Sequence, residues 1–120
     1  MMEQRKNLRF PVKFRSSFSS VGLIGGEGHI VDLSIRGCHI ECSIDAQPGA
    51  SLDVRIQAVE GEPPIHIQAA IVRWSRGGGF GVEFEVIAPA EWVLLRDVVK
   101  QIELMPYEQD KQAADVPGSA

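Results

Sequence analysis

Two groups of polar side chains stand out by residue type and spacing. The first is Arg5-Lys6-Asn7-Leu8-Arg9, in which three residues separate two arginines. The second is Asp32-Leu33-Ser34-Ile35-Arg36-Gly37, a DxSxxG pattern. Guanidinium groups bind phosphate through paired N–H donors and stack on aromatic rings. A carboxylate can accept two hydrogen bonds from the N1–H and N2–H edge of guanine, and a hydroxyl can donate or accept beside it.

Each group also has a plainer interpretation. Two arginines at this spacing are common by chance, and a basic terminus can simply be solvated. The DxSxxG pattern is also typical of a turn in which Asp or Ser satisfies nearby backbone, and taken alone it favours that turn. Strand alternation predicts that Asp32 and Ser34 face outward while Leu33 faces the core. Gly37 is expected to supply a positive φ where one strand turns into the next.

The charge of the chain is unevenly distributed. Its 12 basic and 16 acidic residues give a net charge of −4. The segment 1–20 carries +4, the segment 106–120 carries −2, and the segment 21–105 therefore carries −6. A basic arm on an acidic body predicts a local anion site and argues against a broad surface for nucleic acid polymers. Because no apolar run approaches ~20 residues and no secretory signal is visible, we expect a cytoplasmic protein without membrane insertion.

The sequence offers little support for catalysis or for a metal site. The histidines are scattered, and His39 and His66 fall at polar positions of predicted strands, where we expect exposed side chains. Cys38 and Cys42 alternate with polar residues in one strand, too far apart for a disulfide with each other and without metal-ligand spacing. The segment 77–81, GGGFG, connects two strands and so does not resemble a phosphate loop that opens a helix. We therefore expect no enzyme and no metal.

The positioning elements are mostly strands. Alternating apolar residues predict six of them, over 10–18, 27–33, 37–44, 52–58, 65–74 and 80–86. Glycine and proline predict turns at 21–28, 47–50 and 60–64. The apolar phase shifts near Ala69 and Ala70, which predicts a bulge or burial on both faces.

One helix follows the strands. Pro89 is its predicted start, and Pro106 is its predicted end. Its apolar stripe comprises Trp92, Leu95, Val99 and Ile102, widened by Val98. Six short strands and one amphipathic helix predict an all-β protein, a small antiparallel barrel with a helical lid.

In this order and on this scaffold, the two motifs resemble those of the PilZ domain family, receptors for the bacterial second messenger cyclic di-GMP. The stretch from Val72-Arg73-Trp74 through Phe80-Gly81-Val82-Glu83-Phe84 is also similar to the last hairpin of the family. The resemblance covers residues 3 to 104. It implies a six-stranded antiparallel PilZ-type β-barrel with a C-terminal α-helix. We expect a flexible N-terminal arm over 1–10, the barrel and helix over 10–104, and a disordered tail over 105–120.

The resemblance also implies a set of ligand-binding residues. Arg5 and Arg9 match the arginines that contact phosphates and guanine faces, and Lys6 stands where many members have another arginine. Asp32 and Ser34 match the residues that read a guanine edge, and Gly37 matches the motif glycine. Arg36 falls in a variable position of the motif. Trp74 resembles an apolar contact beside the ligand in some members, and core packing is an equally good interpretation.

The function implied by the resemblance is that of a receptor or adaptor that binds cyclic di-GMP, as one molecule or a stacked pair, and needs no cofactor. Its N-terminal arm would fold over the nucleotide and thereby signal to an effector protein that the sequence does not identify. One alternative is a PilZ-like protein-interaction module that ignores the nucleotide. Another is a barrel that binds single-stranded nucleic acid, which the acidic body disfavours.

Overall fold

Six strands form a closed barrel, and one helix follows them. The structure, a computed structural model, describes the backbone of residues 10–20 and 23–119. The elements are β1 Phe10–Ser20, β2 Leu23–Leu33, β3 Gly37–Glu41, β4 Ser51–Gln57, β5 Ile65–Arg76, β6 Gly79–Val86 and α1 Pro89–Ser119. The strands pair antiparallel in the order β1-β2-β3-β6-β5-β4, and β4 pairs with β1 to close the barrel. The predicted six-stranded barrel with a C-terminal helix is thus confirmed.

The core fills the barrel interior with the inward halves of alternating strands. In β4, for example, Leu52, Val54 and Ile56 are buried while the residues between them face outward. Phe18 of β1 meets Phe80 of β6 edge to face, with ring centroids 5.2 Å apart. Aromatic pairs in this geometry add to the free energy gained by burying their apolar surface.

Residues 23–28 of the segment predicted as a turn after β1 belong to β2, so the prediction is wrong there. Residues 21 and 22 lie outside the described residues. A Cβ at Gly25 would lie 2.7 Å from the carbonyl oxygen of Phe18. A Cβ at Gly26 would collide with the Ile44 side chain and lie 3.0 Å from the Phe18 ring. These glycines therefore permit close approach of neighbouring chain within a strand, a role that composition alone does not distinguish from a turn.

Register shifts change the direction of side chains in the β5–β6 and β2–β3 pairs. The pairing of β5 with β6 shifts register between Ala69 and Ala70, which confirms the predicted irregularity. The pairing of β2 with β3 shifts between Ile30 and Asp32. Ile30 and Leu33 are both fully buried, so the extra residue allows Asp32 to face outward between them.

Helix α1 packs one stripe against the barrel. Leu95, Val99 and Ile102 are buried, as predicted. Trp92, expected in the same stripe, is instead 38% exposed, and the Arg96 guanidinium lies 5.6 Å from its ring centroid. The start of the helix is tied to β5, because the Glu91 carboxylate accepts a 2.7 Å hydrogen bond from the His66 backbone N–H.

Helix α1 extends to Ser119, so the predicted end at Pro106 is wrong. The segment after Pro106 contains residues with good helix propensity, Glu108, Lys111 and Gln112, which favour continuation of the helix. The division of the chain at residue 105 stays a prediction. Within the described part of the chain, no helix is long and apolar enough to cross a membrane.

Candidate functional site

The start of β1, which follows the N-terminal motif in sequence, pairs with the first residues of the DxSxxG motif at one end of the β1–β2 pair. Arg5, Lys6 and Arg9 lie outside the described residues, and their roles stay predictions. The chain becomes described at Phe10, which pairs with Leu33, and Pro11 pairs with Asp32. Because consecutive Cα atoms are ~3.8 Å apart, the segment that carries the two arginines is attached directly beside the DxSxxG turn.

That turn is held together by the Ser34 hydroxyl. Ser34 Oγ accepts hydrogen bonds from the backbone N–H groups of Arg36 at 3.1 Å and Gly37 at 3.2 Å. The Ser34 backbone N–H donates to the Gly37 carbonyl at 2.9 Å. The side chain is buried, with 2% of the residue exposed, so the prediction that it faces outward is wrong. Alternation stops because β2 ends at Leu33, and the plainer interpretation as a serine turn is confirmed.

Gly37 is required for a reason other than the one predicted. The described glycines with positive φ are Gly49, Gly61 and Gly78, so the expected positive φ at Gly37 is wrong. A Cβ at Gly37 would instead collide with the Val82 carbonyl oxygen of β6. The glycine therefore allows β3 to start in close contact with the β6 backbone.

Asp32 does face outward, and it begins a row of residues that crosses four strands. Asp32 of β2 pairs with His39 of β3, His39 pairs with Gly81 of β6, and Gly81 pairs with Trp74 of β5. We call these four residues the outer row. Because directly paired residues place their side chains on the same face of a sheet, the outer row forms one continuous strip on the barrel surface.

Trp74 lies on this outer strip, so the interpretation of Trp74 as a core residue is wrong. Its indole lies over Gly81, where a Cβ would collide with the ring nitrogen. The His39 ring meets the indole edge to face, with centroids 4.8 Å apart. The Arg76 guanidinium lies 5.2 Å from the same indole, within reach of a cation–π interaction.

The sequence reading missed two members of the outer row. The sequence predicts an ordinary exposed histidine at position 39, yet only 28% of the His39 side chain is exposed and it contacts both Trp74 and Asp32. Gly81 enters the sequence analysis only as part of the hairpin segment from Phe80 to Phe84. The register of β3, β6 and β5 brings these residues together, and that register involves contacts between residues distant in sequence. The signal in the sequence is the polar residue at position 39 and the glycine at position 81, each between apolar neighbours.

Arg36 belongs to an ionic cluster next to the outer row. Arg36 Nη2 lies 3.5 Å from Glu83 Oε2, and Arg73 Nε donates to Glu83 Oε1 at 2.7 Å. The hydrogen bond and charge of Arg73, followed by those of Arg36, lower the pKa of Glu83 below its ordinary value of 4.5. Two guanidiniums share one carboxylate, so the cluster has a surplus positive charge that can attract an anion.

A cleft of about 480 Å³ lies elsewhere on the outer surface, across β1, β2, β3 and β4. Its lining includes Arg15, His29, Arg55 and Gln57 and none of the DxSxxG residues. The outer row is therefore not a wall of this cleft. The described chain begins beside the outer row, because Phe10 pairs with Leu33 and Pro11 pairs with Asp32.

Comparison with known proteins identifies a family. Residues 3–101 match the profile of the PilZ domain. The solved structure of Escherichia coli YcgR in complex with c-di-GMP is similar, with a TM-score of 0.72 and 14% identity over 92% of this chain and 51% of that one. Bacillus subtilis inhibitor of motility has a TM-score of 0.69 and 19% identity, over 86% of this chain and 52% of that one. This chain thus spans about half the length of those two proteins.

A third structure is matched over nearly its whole length. The PilZ domain of CeSA, from a cellulose-synthesizing bacterium, has a TM-score of 0.64 and 19% identity, over 80% of this chain and 98% of that one. At these identities the likeness concerns the fold. No curated protein matches the chain.

Proposed function

The chain belongs to the PilZ domain family, and on that premise we propose that it is a non-catalytic receptor for cyclic di-GMP. The nucleotide would bind between the N-terminal arm and the outer barrel surface at Asp32 and Trp74. Folding of the arm over the nucleotide would change the surface presented to an effector protein.

One observation carries this proposal: the arm is attached beside the DxSxxG turn. Phe10 pairs with Leu33 and Pro11 with Asp32, so Arg9 directly precedes the residue that pairs at the end of β2. An arm with this attachment can bring Arg5 and Arg9 to a ligand that also contacts Asp32. The family profile covers both motifs, because it matches residues 3–101.

The charges of the two segments suit the two kinds of group in the ligand. Cyclic di-GMP carries two phosphates and two guanines. Arg5, Lys6 and Arg9 would meet phosphates, and an arginine could also stack on a guanine face. A charge-assisted hydrogen bond contributes about 1.5–3 kcal/mol, and micromolar affinity needs about 8 kcal/mol. A few such contacts together with stacking therefore supply enough free energy for micromolar affinity, provided that they also offset the free energy needed to order the arm.

On the barrel side, the residues divide into contacts and supports. The outward Asp32 carboxylate would accept the N1–H and N2–H donors of a guanine, and the Trp74 indole offers an apolar surface along the same strip. Ser34 is buried in its turn and Gly37 abuts β6, so we assign both to shaping the turn. Arg36, exposed beside the Glu83 carboxylate, would attract a phosphate.

Two further parts of the proposal concern cellular context. Escherichia coli YcgR has been solved in complex with c-di-GMP, which supports the same ligand here. This chain spans about half of that protein, so we do not carry the partners of YcgR over to it. We propose a cytoplasmic location, where a reduced thiol such as that of Cys42 would persist.

Isothermal titration calorimetry with cyclic di-GMP tests the proposal. The unaltered chain should saturate at tens of micromolar protein. Asp32→Ala should weaken binding by at least ~10-fold, the loss of about one charge-assisted hydrogen bond. Asp45→Ala is the matched control, because Asp45 is an exposed carboxylate after β3, and it should bind as the unaltered chain does.

Two results would contradict the proposal in different ways. Absence of saturation with the unaltered chain would reject the receptor function and favour the alternative, a PilZ-like interaction module without nucleotide. Unchanged affinity in Asp32→Ala would show that the nucleotide binds elsewhere on the protein.

A further inference from the structure

His39 lies at the centre of the outer row, although it is not part of either sequence motif. It pairs with Asp32 on one side and with Gly81, the position under the Trp74 indole, on the other. Neighbouring strands are ~4.8 Å apart. Three strand spacings separate Asp32 from Trp74. The His39 side chain and the Trp74 indole, which lies over Gly81, together fill this distance.

The contacts of His39 reach both ends of the row. Its Nδ1 lies 3.8 Å from Asp32 Oδ2, and its ring centroid lies 4.8 Å from that of Trp74 at an interplanar angle of 69°. The His39 and Asp32 side chains are 28% and 29% exposed. Partly covered side chains in mutual contact have fewer accessible rotamers than freely exposed ones, so His39 restricts the orientation of both neighbours.

Gly81 makes this arrangement possible. A Cβ there would collide with Nε1 of Trp74 and would lie 2.9 Å from its Cζ2 atom. Any side chain at this position would push the indole away from the barrel surface and away from His39. The indole can lie across β6 because Gly81 has no side chain beneath it.

We infer that His39 is a positioning residue of the nucleotide site: it fixes the Asp32 carboxylate and the Trp74 indole relative to each other, and Gly81 provides the space for that contact. The inference rests on the proposed function. A carboxylate that accepts two parallel N–H donors must be oriented in the plane of the base. An aromatic ring that contacts the same ligand must lie at a fixed distance from that carboxylate. Loss of His39 would therefore reduce discrimination between purines as well as affinity.

Two substitutions separate the contacts of His39. His39→Phe keeps an aromatic ring against Trp74 and removes the polar contact with Asp32. His39→Gln keeps an N–H donor that can reach the carboxylate and removes the ring. The matched control is His29→Phe, the same replacement at an exposed histidine of β2 outside the outer row.

The full chain is titrated calorimetrically with cyclic di-GMP and with cyclic di-AMP, whose adenines lack the N1–H and N2–H donors. We expect His39→Phe to weaken cyclic di-GMP binding about tenfold, because a misoriented Asp32 carboxylate would lose about one hydrogen bond to the guanine. The ratio of the affinities for cyclic di-GMP and cyclic di-AMP should fall as well. His39→Gln should retain more of that ratio than His39→Phe. The His29→Phe chain should match the unaltered one in both titrations.

Tryptophan emission provides a second measurement that needs no nucleotide. In a Trp92→Phe background the emission comes from Trp74 alone, since the chain has two tryptophans. His39→Ala and Gly81→Ala should each shift this emission to longer wavelength, because each would expose the indole to water. Circular dichroism confirms that the variants compared are folded, and the His39 variants suffice if Gly81→Ala fails to fold.

The outcomes distinguish this inference from the proposed function. If the unaltered chain binds cyclic di-GMP while His39→Phe keeps both its affinity and its preference for guanine, the positioning role is overturned and the receptor function stands. If the unaltered chain binds neither nucleotide, the proposed function fails and this inference fails with it.

Discussion

At the scale of single residues, the site depends on two glycines that lack a Cβ as much as on its polar side chains. Gly37 lets the β6 backbone approach the start of β3, and Gly81 leaves room for the Trp74 indole. The Ser34 hydroxyl accepts hydrogen bonds from the backbone of its own turn. The motif glycine and serine are therefore explained by backbone geometry, while Asp32 is the motif residue whose side chain is partly exposed on the outer row.

Gly37→Ala should destabilise the barrel, because its Cβ would collide with the Val82 carbonyl and separate β3 from β6. We expect a loss of about 1–3 kcal/mol in the free energy of unfolding, the range typical of overpacking. Urea denaturation measures it. Gly77→Ala is the control, because a Cβ there would meet no atom within 4 Å; its stability should change by less than about 1 kcal/mol. Equal stability of the two variants would contradict the close-contact explanation.

The Glu83 cluster should make a small contribution to stability that depends on pH. The pKa of Glu83 lies below its ordinary value of 4.5, chiefly because of its hydrogen bond with Arg73. The contribution is therefore fully present above pH 4.5 and is lost as the pH falls through the lowered pKa. Thermal melts of the unaltered chain and of Glu83→Gln should differ at pH 6, and the difference should shrink as the pH is lowered below 4.5. A difference that grew on acidification would have the wrong sign.

At the scale of elements, short segments fix the site while the long helix is attached elsewhere. The site uses the end of β2, the 34–37 turn, the start of β3 and the β5–β6 hairpin. Helix α1 is held by its buried stripe and by the hydrogen bond from His66 N–H to Glu91 at the start of β5. None of the four residues of the outer row belongs to α1, so we expect changes in helix packing to affect chiefly stability.

Two adjacent leucines of α1 test how the helix is attached. Leu95 is fully buried, whereas Leu94 is 47% exposed. Leu95→Ala should lower the free energy of unfolding by about 2–5 kcal/mol through loss of burial and formation of a cavity. Leu94→Ala, the same change in helix propensity, should stay within about 0.5 kcal/mol. Chemical denaturation compares them, and similar losses in both would mean that α1 packs by another face.

At the scale of the whole molecule, barrel closure and charge distribution work together. Closure leaves no unpaired strand edge among the described strands, so a ligand must be recognised by outward side chains. The segment 21–105 carries −6 and the first 20 residues carry +4. An anionic nucleotide would therefore be repelled by most of the body and attracted by the arm, which directs it to the end of β2.

Removal of an arm charge should weaken nucleotide binding in a salt-dependent way. Arg5→Ala and Arg9→Ala should each reduce the affinity for cyclic di-GMP by at least ~10-fold. The affinity of the unaltered chain should fall as salt is raised, and less steeply in these variants. Calorimetry in increasing NaCl measures both.

Arg15→Ala is the control for the arm variants. It removes one positive charge from β1, where Arg15 pairs with Glu60 at 3.2 Å beside the separate cleft. It should leave the affinity for cyclic di-GMP unchanged. If Arg15→Ala weakened binding as much as Arg5→Ala, the effect would come from net charge and not from the arm.

Much of the fold was predictable because strand alternation reports burial locally. Leu52, Val54 and Ile56 alternate in the sequence and are buried in the barrel. The phase shift at Ala69 and Ala70 predicted a real change of register. Predictions failed where one residue type is compatible with two structures. Glycine favours turns but also occurs in β2, and proline favours a helix end but Pro106 lies within α1.

The sequence by itself determined the number of strands, the outward direction of Asp32, and the two motifs that indicate a nucleotide site, because those features depend on neighbours along the chain. Only the tertiary structure decided that Ser34 turns inward, that Gly37 meets β6, and that His39 lies between Asp32 and Trp74. Those relations are set by pairing between β2, β3, β6 and β5. Strand register is a sum of many contacts between residues distant in sequence, and no local pattern records which outward residues it aligns.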